Sequence, residues 1–165
     1  LRALPEPVDP SLAVTVCEAT PEDLNRMICR TGGAIRAQVE HNLAIRSTCY
    51  VAVHEDTVAG YLWVNRDTID LVGMHVATLT QGSSFVHTVF VFPKQRRKGI
   101  FQFLFLTACQ GLKEAGCVSV ACLVDKANRQ SLEAFRQAGI RFRSAAVLKL
   151  PGIRPLFFCR AIPQS

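Results

Sequence analysis

No apolar run in this chain reaches the roughly 20 residues that a helix needs to cross a bilayer, which argues against a helical membrane span. The opening residues, Leu1 to Pro5, lack the basic segment and long apolar stretch of a secretory leader, so a cytoplasmic location is expected. They also lack an initiator methionine, as expected of a chain trimmed or cut from a longer protein. No two cysteines stand in C-x-x-C spacing. The seven are Cys17, Cys29, Cys49, Cys109, Cys117, Cys122 and Cys159, an odd number placed mostly in apolar segments. Buried reduced thiols are therefore expected, rather than a zinc site or a disulfide framework. Tyrosine is scarce, with only Tyr50 and Tyr61. There is no repeat and no low-complexity segment.

What is present fits one domain over residues 1–165, long enough to bury a sizeable core. With 49% apolar and 19% charged residues, the chain should be globular rather than disordered. The net charge of +6 suits an anionic ligand without naming it. Nucleic acid is a weak candidate. The basic residues are scattered, except at Arg96 to Lys98 and among Arg136, Arg141 and Arg143, and no nucleic-acid module signature is visible.

In chain order, residues 1–11 carry three prolines and read as an extended lead-in. Residues 12–19 read as a strand. Thr20, Pro21, Glu22 and Asp23 start a helix to about Arg30, with Thr20 as N-cap and proline in the first turn. A second helix is expected over 34–45, from Ile35, Val39 and Leu43 at four-residue spacing. Residues 49–54 and 57–65 form the clearest hairpin, turning at Glu55-Asp56. Residues 66–84 are ambiguous, and 72–79 could be a strand or a loop. A strand is expected over 85–92, a largely buried helix over 99–115, and a fully apolar strand of central type over 117–124. A helix from about Asn128 to Ala138 and two strands, 140–150 and 156–162, complete the order. The fold class is α/β, a mixed sheet with helices on both faces.

One stretch carries a chemical signal. The strand 85–92 ends at Pro93, a basic loop of Arg96, Arg97 and Lys98 follows, and Gly99 opens a helix. The first N–H groups of a helix have no partner within it, and the helix dipole is positive there. A phosphate suits that end. Arg96 to Lys98 add positive charge, and Gly99 removes a Cβ that would hinder close approach. A solvated basic turn is the plainer alternative. His41, His54 and His75 have no spacing that joins them into a metal site, and no metal is expected. Trp63 suits either the core or an acceptor pocket.

Two motifs in order give the stretch a context. Val91-Phe92-Pro93 is followed by Arg96-Arg97-Lys98-Gly99-Ile100-Phe101, and Asn128, Ser131 and Phe135 follow at the start of the next helix, with Gly139-Ile140 after it. With these motifs the chain resembles the GNAT superfamily of acyl-CoA-dependent N-acyltransferases over nearly its whole length. The resemblance implies a mostly antiparallel sheet flanked by helices and splayed between the fourth and fifth strands, 85–92 and 117–124. It implies acetyl-CoA or another acyl-CoA as cosubstrate, an unidentified amine as acceptor, and a monomer or homodimer. The amides of Arg96, Arg97, Lys98, Gly99, Ile100 and Phe101 would hold the pyrophosphate. The backbone of Val89 and Val91 would pair with the pantetheine arm, an amide near Val89 or Phe90 would polarise the acyl carbonyl, and Asn128, with Ser131 and Phe135 on its helix, would lie beside the arm.

Two positions depart from the family pattern. Phe101 stands where a small residue is usual, and is read here as core. Phe135 stands where a tyrosine usually protonates the departing thiolate, and phenylalanine has no proton to give. Another group then serves, or the thiolate leaves unassisted, or the domain binds CoA and catalyses poorly. The usual glutamate upstream on the strand is missing as well. His87 is the candidate base, since strand alternation would put it on one face with Phe85, Val89 and Val91, and imidazole titrates near neutrality. A hydrogen-bonded structural histidine is the competing reading. The expected function is transfer of an acetyl group to a primary amine by direct attack in a ternary complex. A non-catalytic CoA-binding regulatory or interaction domain is the alternative.

Overall fold

The computed structural model describes residue 7, residues 10–71, 74–139, 143–148 and 156–161. Strand β1 (Thr15–Glu18) leads into helix α1 (Pro21–Arg30). The start of α1 is the expected one. The Thr20 hydroxyl accepts from the Asp23 amide, and Asp23 accepts from the Thr20 amide, a reciprocal cap that contributes about 1 kcal/mol. Helix α2 (Arg36–Ala44) follows, then the hairpin β2 (Thr48–His54) and β3 (Thr57–Asn65). Glu55 and Asp56 turn that hairpin with positive φ at both residues, the twist that a two-residue connection needs.

The ambiguous region forms a second hairpin, β4 (Thr68–Leu71) and β5 (Met74–Thr78), in its own two-stranded sheet. Strand β6 (Ser83–Val91) returns to the main sheet. A 3-10 turn at Pro93–Gln95 leads to α3 (Ile100–Glu114), β7 (Ser119–Cys122) and α4 (Arg129–Gln137). Strands β8 (Arg143–Leu148) and β9 (Leu156–Ala161) pair antiparallel as a third sheet. The outer parts of the expected strands at 140–150 and 156–162, and most of the lead-in, lie outside the described residues.

The main sheet has the order β1-β2-β3-β6-β7, antiparallel except for the parallel β6-β7 pair. Each face carries its own core. On one, Leu104, Ala108 and Leu112 of α3 pack with Ala52, Leu62, Val64 and Val86. On the other, Met27 and Val39 of α1 and α2 pack with Val51, Tyr61 and Trp63. Trp63 is fully buried, which places it in the core.

The expected central strand at 117–124 is a correction. Among the described residues, β7 is four residues long, pairs with β6 alone and lies at the sheet edge. Its apolar run reflects packing on α3 and the cleft rather than burial between two strands: Val120 and Cys122 pack on the core beneath α3, whereas Val118 is exposed. The cysteines divide too. Cys49, Cys109 and Cys117 are buried, but Cys17 and Cys29 are exposed.

Candidate active site

The parting of β6 from β7 makes the site. The two strands pair from Ser83–Ser119 through Val86–Cys122 and no further. Residues 87–91 of β6 run on toward the basic loop, while the chain after Cys122 leaves toward α4. This is the splay expected between strands 85–92 and 117–124; the extra hairpin makes them the sixth and seventh. A cavity of about 230 Å³ fills the wedge. Its walls are Val86 to Val89 of β6, Phe101 of α3, Cys122 to Asp125 after β7, and Asn128, Ser131 and Phe135 of α4. A larger cavity, about 540 Å³, lies at the opposite end of β6, against Ser83, Ser84 and the C-terminus of α3.

Backbone direction settles which strand groups face the wedge. The Phe92 amide donates to the Ala59 carbonyl on β3. Alternate residues of a strand turn their N–H and C=O to opposite sides, so Phe90 also faces β3, and Val89 and Val91 face away from it. The sequence left Val89 and Phe90 as equal candidates for the polarising amide. Val89 has the amide that faces the wedge. The Phe90 ring lies on the opposite face of the sheet, with Tyr61 and Phe92.

The loop at the mouth has two left-handed residues, Arg97 (φ 62°) and Gly99 (φ 78°). The first intrahelical bond of α3 runs from the Phe103 amide to the Gly99 carbonyl, which leaves the amides of Ile100, Phe101 and Gln102 without helical partners. Ile100 contributes only backbone there, because its side chain is core. The Arg96 Nε donates to the Val91 carbonyl at 3.1 Å, and the Lys98 Nζ to Gln95 at 3.0 Å. Arg97 is exposed. Gly99 has a reason that the sequence did not show. Beyond its positive φ, an added Cβ would stand 3.2 Å from the Pro10 Cα, where the lead-in crosses the loop and the Ser11 amide bonds the Lys98 carbonyl.

The helix wall matches the spacing in sequence. Asn128 caps α4 by accepting from the Ser131 amide at 3.0 Å. Asn128, Ser131 and Phe135 then lie on one face, toward the wedge. Phe135 is buried, edge-on to Phe101 (4.9 Å between ring centroids) and to Phe105 (5.0 Å). Phe101 is thus both core and cleft wall. Its ring and that of Phe135 form an apolar surface on the cleft wall.

His87 requires two corrections. Register shifts between Trp63-Thr88 and Val64-Val86, so His87 is an unpaired extra residue, a β-bulge. The bulge breaks the alternation. Val86, Val89 and Val91 all face α3, and His87 turns to the α2 side, stacked on Phe85 at 6.2 Å. There its Nε2 lies 3.1 Å from the Ser47 hydroxyl. Asn65 holds Ser47 in place. Its Oδ1 accepts the Asp67 and Thr68 amides, so its Nδ2 donates to the Ile45 carbonyl and to Ser47 Oγ. Ser47 Oγ and His87 Nε2 thus form one hydrogen bond, and His87 Nδ1 lies 3.4 Å from the Thr88 hydroxyl. Burial, reinforced by His41 and opposed by Asp70, pushes the pKa of His87 down to about 4. The ring is neutral at physiological pH and is no base poised near 7.

Ser47, Asn65, Thr88 and Asp70 escaped the sequence reading. A signal for the bulge was there, since Phe85 and Val86 are adjacent apolar residues ahead of Val89 and Val91. Asn65 had the composition of a side-chain turn before Asp67 and Thr68.

With this geometry the comparisons agree. The chain matches the model of the acetyltransferase (GNAT) family over residues 24–140 and belongs to that family, whose members are acetyl-CoA-dependent acetyltransferases. No curated protein matches it. Among solved structures, it is similar to the aminoglycoside 6'-N-acetyltransferase AAC(6')-IG from Acinetobacter haemolyticus (20% identity, 84% of this chain and 99% of that one, TM-score 0.64). It is also similar to a ribosomal-protein-alanine N-acetyltransferase from Brucella melitensis (15%, 84% and 99%, 0.62). A third similar structure is AAC(6')-Iy, bound to a bisubstrate analogue of CoA and acetylneamine (14%, 85% and 99%, 0.66). Among the described residues no helix is long and apolar enough to cross a membrane.

Proposed function

We propose that this protein transfers an acetyl group from acetyl-CoA to a primary amine by direct attack in a ternary complex. The observation that carries the reading is the wedge where β6 leaves β7, placed beside the positive end of α3. The residues fit the cosubstrate. The free amides of Ile100, Phe101 and Gln102, with Arg96, Arg97 and Lys98 around them, suit a pyrophosphate. The outward N–H and C=O of Val89 and the outward N–H of Val91 suit an amide-bearing arm lying along the strand. Bound there, the cosubstrate supplies the activated acetyl group.

The chain's own residues then divide the work. The Val89 amide is the donor for the carbonyl oxygen as charge develops on it. Asn128 and Ser131 line one wall, and Phe101 and Phe135 exclude water from the other. His87 does not remove the amine's proton, because its pKa is far below neutrality. It shapes the acceptor wall as a neutral ring held by Ser47. The nitrogen therefore attacks from the fraction that is already neutral, and proximity carries most of the rate. No phenol stands at Phe135 to protonate the leaving sulfur.

The test is release of CoA thiol from acetyl-CoA with a panel of primary amines, beside mass spectrometry of the purified protein for retained CoA. Turnover on any amine supports the proposal. Tight binding of acetyl-CoA with no turnover on the whole panel would overturn it in favour of a non-catalytic CoA-binding domain.

A further inference from the structure

Residues 10–14, which lead into β1, are held at three points. Leu12 and Val14 are partly buried against the core beneath α3. The Ala13 carbonyl lies 2.8 Å from His54 Nδ1, at the end of β2. The Ser11 amide donates to the Lys98 carbonyl at 3.2 Å, and Pro10 lies against Gly99 in the room that a side chain would fill.

The last contact acts on one peptide group of the basic loop. The Lys98 carbonyl precedes α3, and turned toward an anion at the helix end it would repel it. Its bond to Ser11 points it at the lead-in instead. A peptide group is planar and trans, so its N–H points opposite to its C=O. The Gly99 N–H, in the same peptide, is therefore turned away from the lead-in, and among the described residues it has no acceptor. Left-handed backbone flanks Lys98 at Arg97 and at Gly99. That conformation is unfavourable for a residue with a Cβ such as Arg97, and it persists where the surroundings hold it. Among the described residues, Ser11 makes the one backbone hydrogen bond to residues 96–99 that comes from outside the turn and the helix. The lead-in does not fill the anion end of α3. With Ser11 in place, the amides of Ile100, Phe101 and Gln102 still have no partner. The contact thus supports the loop rather than blocking it.

We propose that Pro10 and Ser11 are positioning residues for the cosubstrate: the lead-in is a strap that holds the Lys98–Gly99 peptide with its N–H toward the pyrophosphate and its carbonyl away from it. The identity of the anion rests on the acetyltransferase reading above. The grip of the strap on the loop does not.

The experiment uses the full chain with Ser11→Pro, which removes the N–H donor, and Ser11→Ala, which keeps it. One readout is cleavage by trypsin after Lys94, Arg96, Arg97 and Lys98 without ligand, mapped by mass spectrometry. The other is KM for acetyl-CoA beside kcat and KM for the amine. Ser11→Pro should be cut in this loop about fivefold faster than the wild type and should raise KM for acetyl-CoA about fivefold, the worth of one hydrogen bond. Its kcat and its KM for the amine should stay within about twofold. Ser11→Ala should match the wild type in both readouts. Pro10→Gly, which removes the packing on Gly99, should move both in the same direction by less. Unchanged cleavage in Ser11→Pro, or an equal rise in KM for the amine, would overturn the strap. Calorimetry with CoA alone separates this from failure of the activity. Faster cleavage and about fivefold weaker CoA binding in Ser11→Pro, without turnover in the wild type, would keep the strap and refute the acetyltransferase. Faster cleavage with unchanged CoA affinity would overturn the positioning role.

Discussion

The two sides of the wedge are built differently. The side proposed for the donor is local in the chain. Residues 89–101 contribute the strand backbone, the loop and the helix end, and residues 128–135 contribute the opposite wall. The side proposed to face the acceptor is assembled from fragments, namely Gln38 of α2, Ser47, Asn65, Thr88 and the bulge at His87, joined by side-chain hydrogen bonds. Backbone does the work on the donor side, and backbone geometry depends little on the identity of neighbouring side chains. On the acceptor side each contact is specific to a residue, so that side can vary while the donor side stays put. Substitutions should separate the two.

The largest effect is expected from Arg96→Glu with Arg97→Glu. Two reversed charges at the proposed phosphate site should raise KM for acetyl-CoA roughly a hundredfold or more and leave KM for the amine within about twofold. Steady-state kinetics with each substrate varied in turn would check this, and a matching rise for the amine would break the separation. Next, Phe135→Tyr places a hydroxyl on the cleft wall. It should raise kcat by about tenfold if departure of the sulfur limits the rate, since a positioned acid is worth that or more. An unchanged kcat in a folded variant would show that the thiolate leaves without help.

Gly99→Ala should lose stability and CoA affinity together. The residue would be strained at φ 78° and pressed on Pro10, for about 1–2 kcal/mol in urea unfolding. An equally stable variant would show that the lead-in moves aside freely.

The smallest effect concerns pH. His87 has a folded pKa of about 4 against 6.5 for the free group, so between those values the unfolded chain binds more protons. The stability that depends on a neutral His87 is present above about pH 6.5 and falls as pH drops toward 4. His87→Gln should flatten that part of the stability curve. It should leave the shape of the rate profile between about pH 6 and 8 unchanged. A lost inflection in that range would restore His87 as the base and would move chemistry to the acceptor side.

Much of the donor side was legible because its signals are short in sequence. Thr20 to Asp23 marked a capped helix, Pro93 to Gly99 a basic loop before a helix, and Asn128, Ser131 and Phe135 one face of α4. The hairpin β4-β5 was not. Thr68 to Thr78 mixes polar and apolar residues without a clean alternation, and its pairing is interrupted by a bulge between Ile69 and Asp70. His87 was misplaced for a related reason. Alternation assigns a face only while the register holds, and one extra residue reverses every assignment beyond it. Of the two readings of His87, the hydrogen-bonded structural histidine is the one that its burial and its bond to Ser47 fit, and an intrinsic pKa says nothing of burial.

The sequence by itself determined the basic loop, the helices around it, the two strands that part and the family they belong to. These rest on residue type and spacing within a few positions. Tertiary structure alone decided that Val89 rather than Phe90 turns its amide to the wedge, and that His87 is a partly buried ring held by Ser47. Each of these depends on groups far apart in the chain, 40 residues between Ser47 and His87, whose burial and hydrogen bonds exist only once the sheet has formed.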